Sequence, residues 1–382
     1  MKLTGKTILI LSPQSWGTMF ISKHHYAVEL AKRGNKVFFL NPPGEGHDGA
    51  ASFAIGALAA APELYLVTQR LSFPGQIRFH LPVIFRNLMK RHLKQLLKFL
   101  PEKPDIIWSF DLNALYDFNS FPKQAFRIFH PVDEPLTDAA IRSAEGAQVI
   151  FSVTEEIISK YAHLKVPAFC LNHGVAPVFI AAAEHPVSRP EKDQLRVGIS
   201  GNFTRPDLDR DVLLQIIDEN PSCIFECWGA YRSKSSNIGG NADSGTEQFI
   251  RELKARKQVI LHGPVSPEQL AIALTGMDLF LICYDVEKDQ SKGTNYHKIL
   301  EYLATGRITV ANNITTYSNR PDLVQMVESR TSNEALPGLF RHVSGHINEF
   351  NNPAAMEVRK SFARGNLYEA KVQRIEDIIA QF

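Results

Sequence analysis

The chain has 382 residues, 44% of them hydrophobic and 21% charged, enough for two ordinary globular cores. A formal net charge of +2 is too small to argue for a nucleic-acid partner. Its four cysteines, Cys170, Cys223, Cys227 and Cys283, make no CxxC pair and no zinc-type grouping with histidine, which points to a reduced cytoplasmic setting.

The opening MKLTGKTILILS has an apolar run too short for a secretory signal, and no run reaches the length of a transmembrane helix. The expectation is a cytoplasmic protein, at most peripheral on the inner face of a membrane. Short apolar runs then alternate with helical patterns. Thr7–Leu11 reads as a strand, 24–33 as a helix and Lys36–Leu40 as a strand. Residues 44–61, rich in Gly and Ala, read as a flexible loop. Further strands are expected at 64–68, 105–110, 125–129, 148–153 and 168–171. The polar stretch 181–194, with Pro186 and Pro190, reads as an interdomain linker.

After it the pattern restarts. Strands are expected at Leu195–Ser200, 223–227, 259–261, 277–283 and Ile308–Ala311, with helices at 211–218, 246–255, 267–274 and 294–306 between them. The tail beyond Asn312 reads as helical, and its last helix, near 368–380, is a candidate to pack back on the first half. Such alternation predicts an α/β fold with parallel sheets. It divides into a first Rossmann-like domain over 1–180, a second over 195–365 and a terminal helix over 366–382. Two such domains facing one another make the cleft between them the default binding place.

From Ile77 to Leu100 the chain reads IRFHLPVIFRNLMKRHLKQLLKFL, with Arg78, Arg86, Lys90, Arg91, Lys94 and Lys98 and no acid. As one helix it gathers Leu81, Ile84, Phe85, Leu88, Leu96 and Leu97 on one face and Lys90, Arg91, Lys94 and Lys98 on another. A basic amphipathic helix suits an anionic membrane surface. A helix packed on its own sheet shows the same apolar stripe.

Ligands of open α/β sheets bind beyond the carboxyl ends of the strands. After the first strand stand Trp16, Gly17 and Thr18, a glycine turn without the GxGxxG dinucleotide fingerprint. After the first strand of the second half, Gly201 and Asn202 suit a turn near phosphate, and Arg205 or Arg210 can neutralise it. The alternative is a loop whose Asp209 caps the next helix. Asp207 and Asp209 share that capping position, and two carboxylates leave most ligands of a divalent ion unnamed, so no metal is expected. The pair His24 and His25 has no third ligand nearby. His130 and Asp133, after the strand at 125–129, are candidates for proton transfer; the alternative is helix capping by Asp133 and Glu134.

The segment 294–306, TNYHKILEYLATG, is the most informative. As a helix it buries Ile299, Leu300, Leu303 and Ala304 and leaves Lys298, Glu301, Tyr302 and Thr305 on the other face. Lys298 and Glu301, three apart, are neighbours. A cation and a carboxylate near a helix start suit a nucleotide, with diphosphate at the N-terminus and ribose hydroxyls on the acid. The alternative is a surface ion pair.

These pieces resemble GT-B glycosyltransferases over nearly the whole length. KILEYLATG, ending at Gly306, resembles the donor motif K-x-x-E-Y-x-A-x-G, and GPVSPEQLAIALTGMDLFLICY, starting at Gly263, resembles the strand-helix-strand before it. SVTEEIISKY from Ser152, NHGV from Asn172 and VGISGNF from Val197 are further matches. SWGTMFISKHHYAVELAKRGNKVFFLNPP, from Ser15, is similar to bacterial surface-polysaccharide enzymes of the teichuronic-acid type. The resemblance implies metal-independent sugar transfer from a UDP- or GDP-linked donor, with no separate cofactor, to a saccharide or lipid-linked acceptor. Glu301 would hold the ribose. Lys298 and the backbone around Thr294 and Asn295 would hold the diphosphate, and His130 or Asp133 would face the acceptor.

The chain also departs from the family. Many retaining members carry two glutamates eight residues apart, and the first position here is Gly293. Arg205 and Arg210 do not clearly match the family's Arg and Lys, and His173 stands where a small or polar residue is common. Rival readings are a nucleotide-sugar epimerase of the same fold and a non-catalytic nucleotide-binding subunit of a polysaccharide assembly complex.

Overall fold

The computed structural model describes residues 1–17, 20–47, 51–187, 194–231, 244–289 and 293–382. They form two units, Met1–Asn172 with Tyr368–Phe382, and His173–Leu367. The sequence placed these divisions at 180 and 366. Part of the expected linker is not linker: 181–184 are the last residues of a helix that starts at Pro177, while Pro190 lies outside the described residues.

The first unit runs β1 (Thr7–Leu11), α1 (Ser22–Lys32), β2 (Lys36–Leu40), β3 (Phe53–Ala57), β4 (Leu64–Gln69), α2 (Ile77–His80), α3 (Pro82–Phe99), β5 (Ile106–Ser109), β6 (Phe126–Phe129), α4 (Asp138–Arg142), β7 (Val149–Ser152), α5 (Glu155–Ser159) and β8 (Ala168–Cys170). Its sheet has the order β3-β4-β2-β1-β5-β6-β7-β8. Every pair is parallel except β3 with β4. The central strand TILIL is buried at every residue, as a parallel strand covered on both faces must be. Successive strands run outward from β1 through β2, then resume on its other side at β5, so the switch point lies between β1 and β5.

Two expectations change here. Residues 44–61 are not simply a loop, because β3 pairs antiparallel with β4, Ile55 opposite Val67. It is an edge strand with four exposed residues, and its small Gly- and Ala-rich composition hides it in a stretch that reads as a loop. Residues 77–100 are not one helix either. Leu81 leaves helical geometry before Pro82, which starts α3. The stripe α3 buries is Phe85, Met89, His92, Leu93 and Leu96; Leu81 and Ile84 are exposed. His92 fixes the helix's rotation by bonding Gln69 Oε1 of β4 at 2.9 Å.

The second unit runs α6 (Pro177–Glu184), β9 (Leu195–Ser200), α7 (Arg210–Glu219), β10 (Cys223–Trp228), α8 (Ser244–Ala255), β11 (Val259–Gly263), α9 (Pro267–Thr275), β12 (Leu279–Ile282), α10 (Lys298–Ala304), β13 (Ile308–Ala311), β14 (Val324–Met326), α11 (Leu336–Gly345), α12 (Ile347–Phe350) and α13 (Pro353–Arg364). All pairs are parallel in the order β11-β10-β9-β12-β13-β14, the dinucleotide-fold order with its switch between β9 and β12. The stretch after Asn312, read as all helical, includes β14. The buried Arg359 of α13 ties the end of α10 in place through Gly306 O at 3.0 Å, and it also binds Asp322 O at 3.0 Å and Phe350 O at 2.8 Å. The chain then rejoins the first unit as α14 (Tyr368–Ile379), where Arg33 donates to Glu369 O at 3.0 Å and Tyr368 packs edge-on against Tyr26. Among the described residues no helix is long and apolar enough to cross a membrane.

Candidate active site

In the second unit the switch point carries the polar constellation. β9 ends at Ser200 and hands the chain to Gly201, and β12 leads to Tyr284. The Lys298 ammonium, buried at the first turn of α10, donates to Ser200 O at 2.6 Å and Tyr284 Oη at 2.7 Å. A lysine has three N–H donors, so one remains for a ligand oxygen. A glycine is required above it: at Gly201, φ is +153° and a β-carbon would lie 2.7 Å from Lys298 Nζ. Tyr302 secures the same strand end, its Oη accepting from Ser200 N at 2.7 Å while its ring stacks on Phe280 at 4.1 Å.

α10 therefore has no polar outer face. Lys298, Tyr302 and Thr305 are buried together with Ile299, Leu300, Leu303 and Ala304: the strand end supplies partners for Lys298 and Tyr302, and Thr305 Oγ1 donates to Tyr302 O of the same helix at 2.7 Å. Only Glu301 is half-exposed. Lys298 does not pair with it, which removes the surface ion-pair reading. Glu301 accepts no hydrogen bond from the described residues. Desolvation by the surrounding protein pushes its carboxyl up to about 7, against the pull of Lys298.

The loop after Gly201 divides its roles. Asn202 Oδ1 accepts from Thr204 N at 3.0 Å and Thr204 Oγ1 at 2.7 Å, while its buried Nδ2 has no partner among the described residues. Arg205 forks onto Asp207 and lies 3.8 Å from Asp289, so its charge is already answered inside the protein. Asp207 is thus an ion-pair partner rather than a cap. Asp209 alone caps α7, accepting from Val212 N at 3.3 Å. Arg210 binds Thr246 Oγ1 at 2.7 Å.

Gly293 explains the missing second acid. Its φ is +66°, and a β-carbon would meet Asn313 O at 2.5 Å. Gly293 N donates to Asp289 Oδ2 at 3.1 Å, and Tyr296 Oη donates to the same oxygen at 2.7 Å. Thr294 and Asn295 follow as buried residues, with Thr294 O accepting from Thr316 Oγ1 at 2.6 Å. α10 is only seven residues long and His297 gives it no side-chain cap, so its dipole adds little. The rings of His173 and His297 lie 6.2 Å apart.

In the first unit, the residues after β1, β5 and β6 meet at the carboxyl edge of the sheet. Trp16 is held by Asn41 Oδ1 at 2.9 Å and packs edge-on against Phe39 and His24. Gly17 follows it, and Thr18 lies outside the described residues. His24 is engaged through both ring nitrogens, by Ile21 N at 3.1 Å and Ser15 O at 3.1 Å. His130 is fully buried among Tyr26, Phe110 and Trp108. Its Nδ1 accepts from Trp108 Nε1 at 3.3 Å, which places its proton on Nε2, a buried atom with no partner among the described residues. Burial, and then the Lys23 charge, hold its pKa down at about 3. Such a ring is a neutral N–H donor. Asp133 is exposed and caps nothing; Thr137 caps α4, accepting from Ala140 N at 3.1 Å. Glu134 instead pairs with Lys160 at 3.6 Å.

Sequence reading missed Lys23 and Asp111. Lys23 is buried at the start of α1 and donates to Gln14 Oε1. Burial lowers its pKa to about 8, against the pull of Asp133 and then Asp111. Asp111 accepts from Asn113 N at 2.9 Å and Leu115 N at 3.0 Å, and burial raises its pKa. A lysine inside an amphipathic pattern carries no local signal of burial. A groove of about 390 Å³ elsewhere in the second unit, lined in part by Arg196, Glu226, Trp228 and His262, has its charges matched: Glu226 binds Arg196 and, at 2.9 Å, His262.

No family model and no curated protein sequence matches the chain. Solved structures do match its fold. Sucrose-phosphate synthase from Thermosynechococcus elongatus superposes with a TM-score of 0.70 at 11% identity, over 98% of each chain. The α,α-trehalose-phosphate synthase (UDP-forming) from Burkholderia vietnamiensis gives 0.70 at 10%, over 100% of this chain and 99% of that one. HepE of Anabaena in complex with UDP-glucose gives 0.67 at 13%, over 99% and 100%. These neighbours are GT-B glycosyltransferases, and the chain has the GT-B fold, α/β with two Rossmann-like domains.

Proposed function

We propose that the protein transfers a sugar from a nucleotide-sugar to an acceptor hydroxyl. One observation carries this reading. At the switch point of the second unit, an unpaired half-buried Glu301 stands one turn from a Lys298 ammonium that keeps a free N–H. Glu301 would accept from the ribose hydroxyls. Lys298, with Asn202 Nδ2, would meet the diphosphate and stabilise its charge as the sugar leaves. Arg205 is a weaker candidate for that role, being held by Asp207. The neighbours bound to UDP and to UDP-glucose support a uridine nucleotide, with GDP the alternative.

On the acceptor side the reading assigns Asp133 as proton acceptor and His130 as N–H donor. The acceptor belongs, in this proposal, to cell-surface polysaccharide or glycolipid synthesis, and the transfer needs no metal.

The test is a thermal-shift panel of nucleoside diphosphates and their sugars, followed by product analysis with and without acceptors. Stabilisation by one base class and acceptor-dependent release of the diphosphate is the expected result. A changed sugar formed from donor alone would establish an epimerase instead. Binding without turnover across a broad acceptor panel would leave a binding subunit. Asp133→Asn should abolish transfer with donor affinity intact; full turnover in that variant would remove Asp133 from the reaction.

A further inference from the structure

Between Glu63 and Glu102 the sequence contains no acidic residue. The structure shows what that stretch presents to solvent. Phe79, Leu81, Val83 and Ile84, at the junction of α2 and α3, are 69%, 52%, 60% and 48% exposed. They are four of the thirteen large exposed hydrophobics among the described residues, concentrated in six consecutive positions. The Arg78 guanidinium sits over the Phe79 ring at 4.5 Å. Behind this tip, Arg86, Lys90, Lys94 and Lys98 repeat every fourth residue, all exposed, and so form one ridge along α3.

Like charges at that spacing repel and destabilise a helix, and a merely solvated face would intersperse acids among them. The rotation that turns the ridge outward is fixed, because the opposite stripe of Phe85, Met89, Leu93 and Leu96 is buried and His92 is bonded to β4.

We propose that this face docks on an anionic lipid bilayer. Phe79, Leu81, Val83 and Ile84 enter the headgroup–acyl boundary, and the ridge of α3 lies on the anionic headgroups. Charge complementarity selects this occupant: a row of cations without acids, adjoining an apolar tip, matches the two layers of a bilayer interface. The inference does not rest on the glycosyl-transfer reading. If both hold, the acceptor is lipid-linked.

Flotation of the full chain with vesicles of phosphatidylcholine alone, or mixed with phosphatidylglycerol, tests it. Binding to the mixed vesicles only, released by high salt, is expected. The variants Phe79→Ser/Val83→Ser/Ile84→Ser and Lys90→Glu/Lys94→Glu/Lys98→Glu should each weaken binding by about tenfold or more. Their thermal midpoints should stay unchanged, since every position is exposed. A Val83→Trp chain should show a blue-shifted emission on mixed vesicles, which reads insertion without disturbing the ridge.

Failure to float with either vesicle overturns the proposal, as does undiminished binding by both triple variants. So does a solution dimer that Phe79→Ser/Val83→Ser/Ile84→Ser dissolves, since the face would then cover a second copy. Turnover of a soluble acceptor by the triple variants separates these failures from failure of the transferase reading.

Discussion

Lys298 and Glu301 stand one turn apart on α10 and do not pair: the ammonium turns to Ser200 O at 2.6 Å, and the carboxyl has no hydrogen-bond partner among the described residues. An ion pair there would have drawn the Glu301 pKa down. Instead desolvation raises it to about 7. The two are separate groups, one bonded into the strand end and the other not paired with it.

Glu301 gives the first prediction. Its carboxylate, the better acceptor for ribose hydroxyls, forms as pH rises through about 7. Affinity for UDP-glucose, whose diphosphate does not titrate in this range, should therefore rise about tenfold from pH 6 to pH 8. Glu301→Gln should flatten the profile and weaken binding at pH 8. The stability effect has the opposite sign. The native chain holds a proton that the unfolded chain has released, so wild type loses stability as pH rises from the ordinary carboxyl range toward 7. Glu301→Gln should be about 1–3 kcal/mol more stable than wild type at pH 8 and little changed at pH 4. A flat calorimetric profile in wild type would remove Glu301 from the donor site.

Lys298→Met separates the second group. The apolar side chain leaves Ser200 O and Tyr284 Oη without their shared donor. Stability should fall by about 1–3 kcal/mol, the usual cost of a buried polar group left unmade. Donor affinity should fall with it, at every pH, whereas Glu301→Gln loses affinity chiefly above pH 7. Equilibrium urea unfolding and calorimetry read the two effects. A Lys298→Met chain of unchanged stability would mean that the buried bonds to the strand end contribute nothing.

The strands were legible where apolar runs are continuous, as in β1, β9 and β12, because parallel strands covered on both faces leave no polar alternation to misread. β3 was not, because the small Gly- and Ala-rich composition of FAIGA hides this edge strand in a stretch that reads as a loop. The helix 77–100 failed at one residue, Leu81, where the following proline outweighed the amphipathic pattern. In the site, motif spacing located Lys298 and Glu301 but not the direction in which each points. Direction depends on Ser200 and Tyr284, 98 and 14 residues away from Lys298 in sequence. Lys23 and Asp111 were illegible for the same reason: only the sheet order brings the ends of β1 and β5 together.

Gly293 supplies a third prediction. Introducing an acid at residue 293, by Gly293→Glu, must place a β-carbon 2.5 Å from Asn313 O at φ +66°. Left-handed backbone and a backbone clash together should cost about 2–4 kcal/mol. Transfer should not improve, because the loop must move before the carboxylate can reach anything. Urea unfolding of the variant is the check, and wild-type stability would show that residue 293 tolerates a side chain.

Acid should open the first unit before the second. His24, His92 and His130 are all buried there, and burial lowers their pKa values to about 4, 4 and 3. In the unfolded chain each takes up a proton near pH 6.5, whereas the native rings resist until about pH 4 or below. Their contribution is therefore complete above pH 6.5 and is lost as pH falls toward 4, at about 1.4 kcal/mol per pH unit for each ring. Three rings together weaken the unit by roughly 3 kcal/mol between pH 6.5 and 5.5, a large part of an ordinary domain's stability. In the second unit His297 is lowered in the same way, to about 4, but Glu301 works against it, since its raised pKa favours the native state as pH falls through 7. Hydrogen exchange at pH 7.5 and pH 5, corrected for intrinsic rates, should show protection falling over β5 and β6 but holding over β9 and β12. His92→Gln, which keeps a donor toward Gln69 and cannot be protonated, should make the loss shallower by about a third. Equal loss of protection in both units would mean that the buried histidines do not govern acid stability.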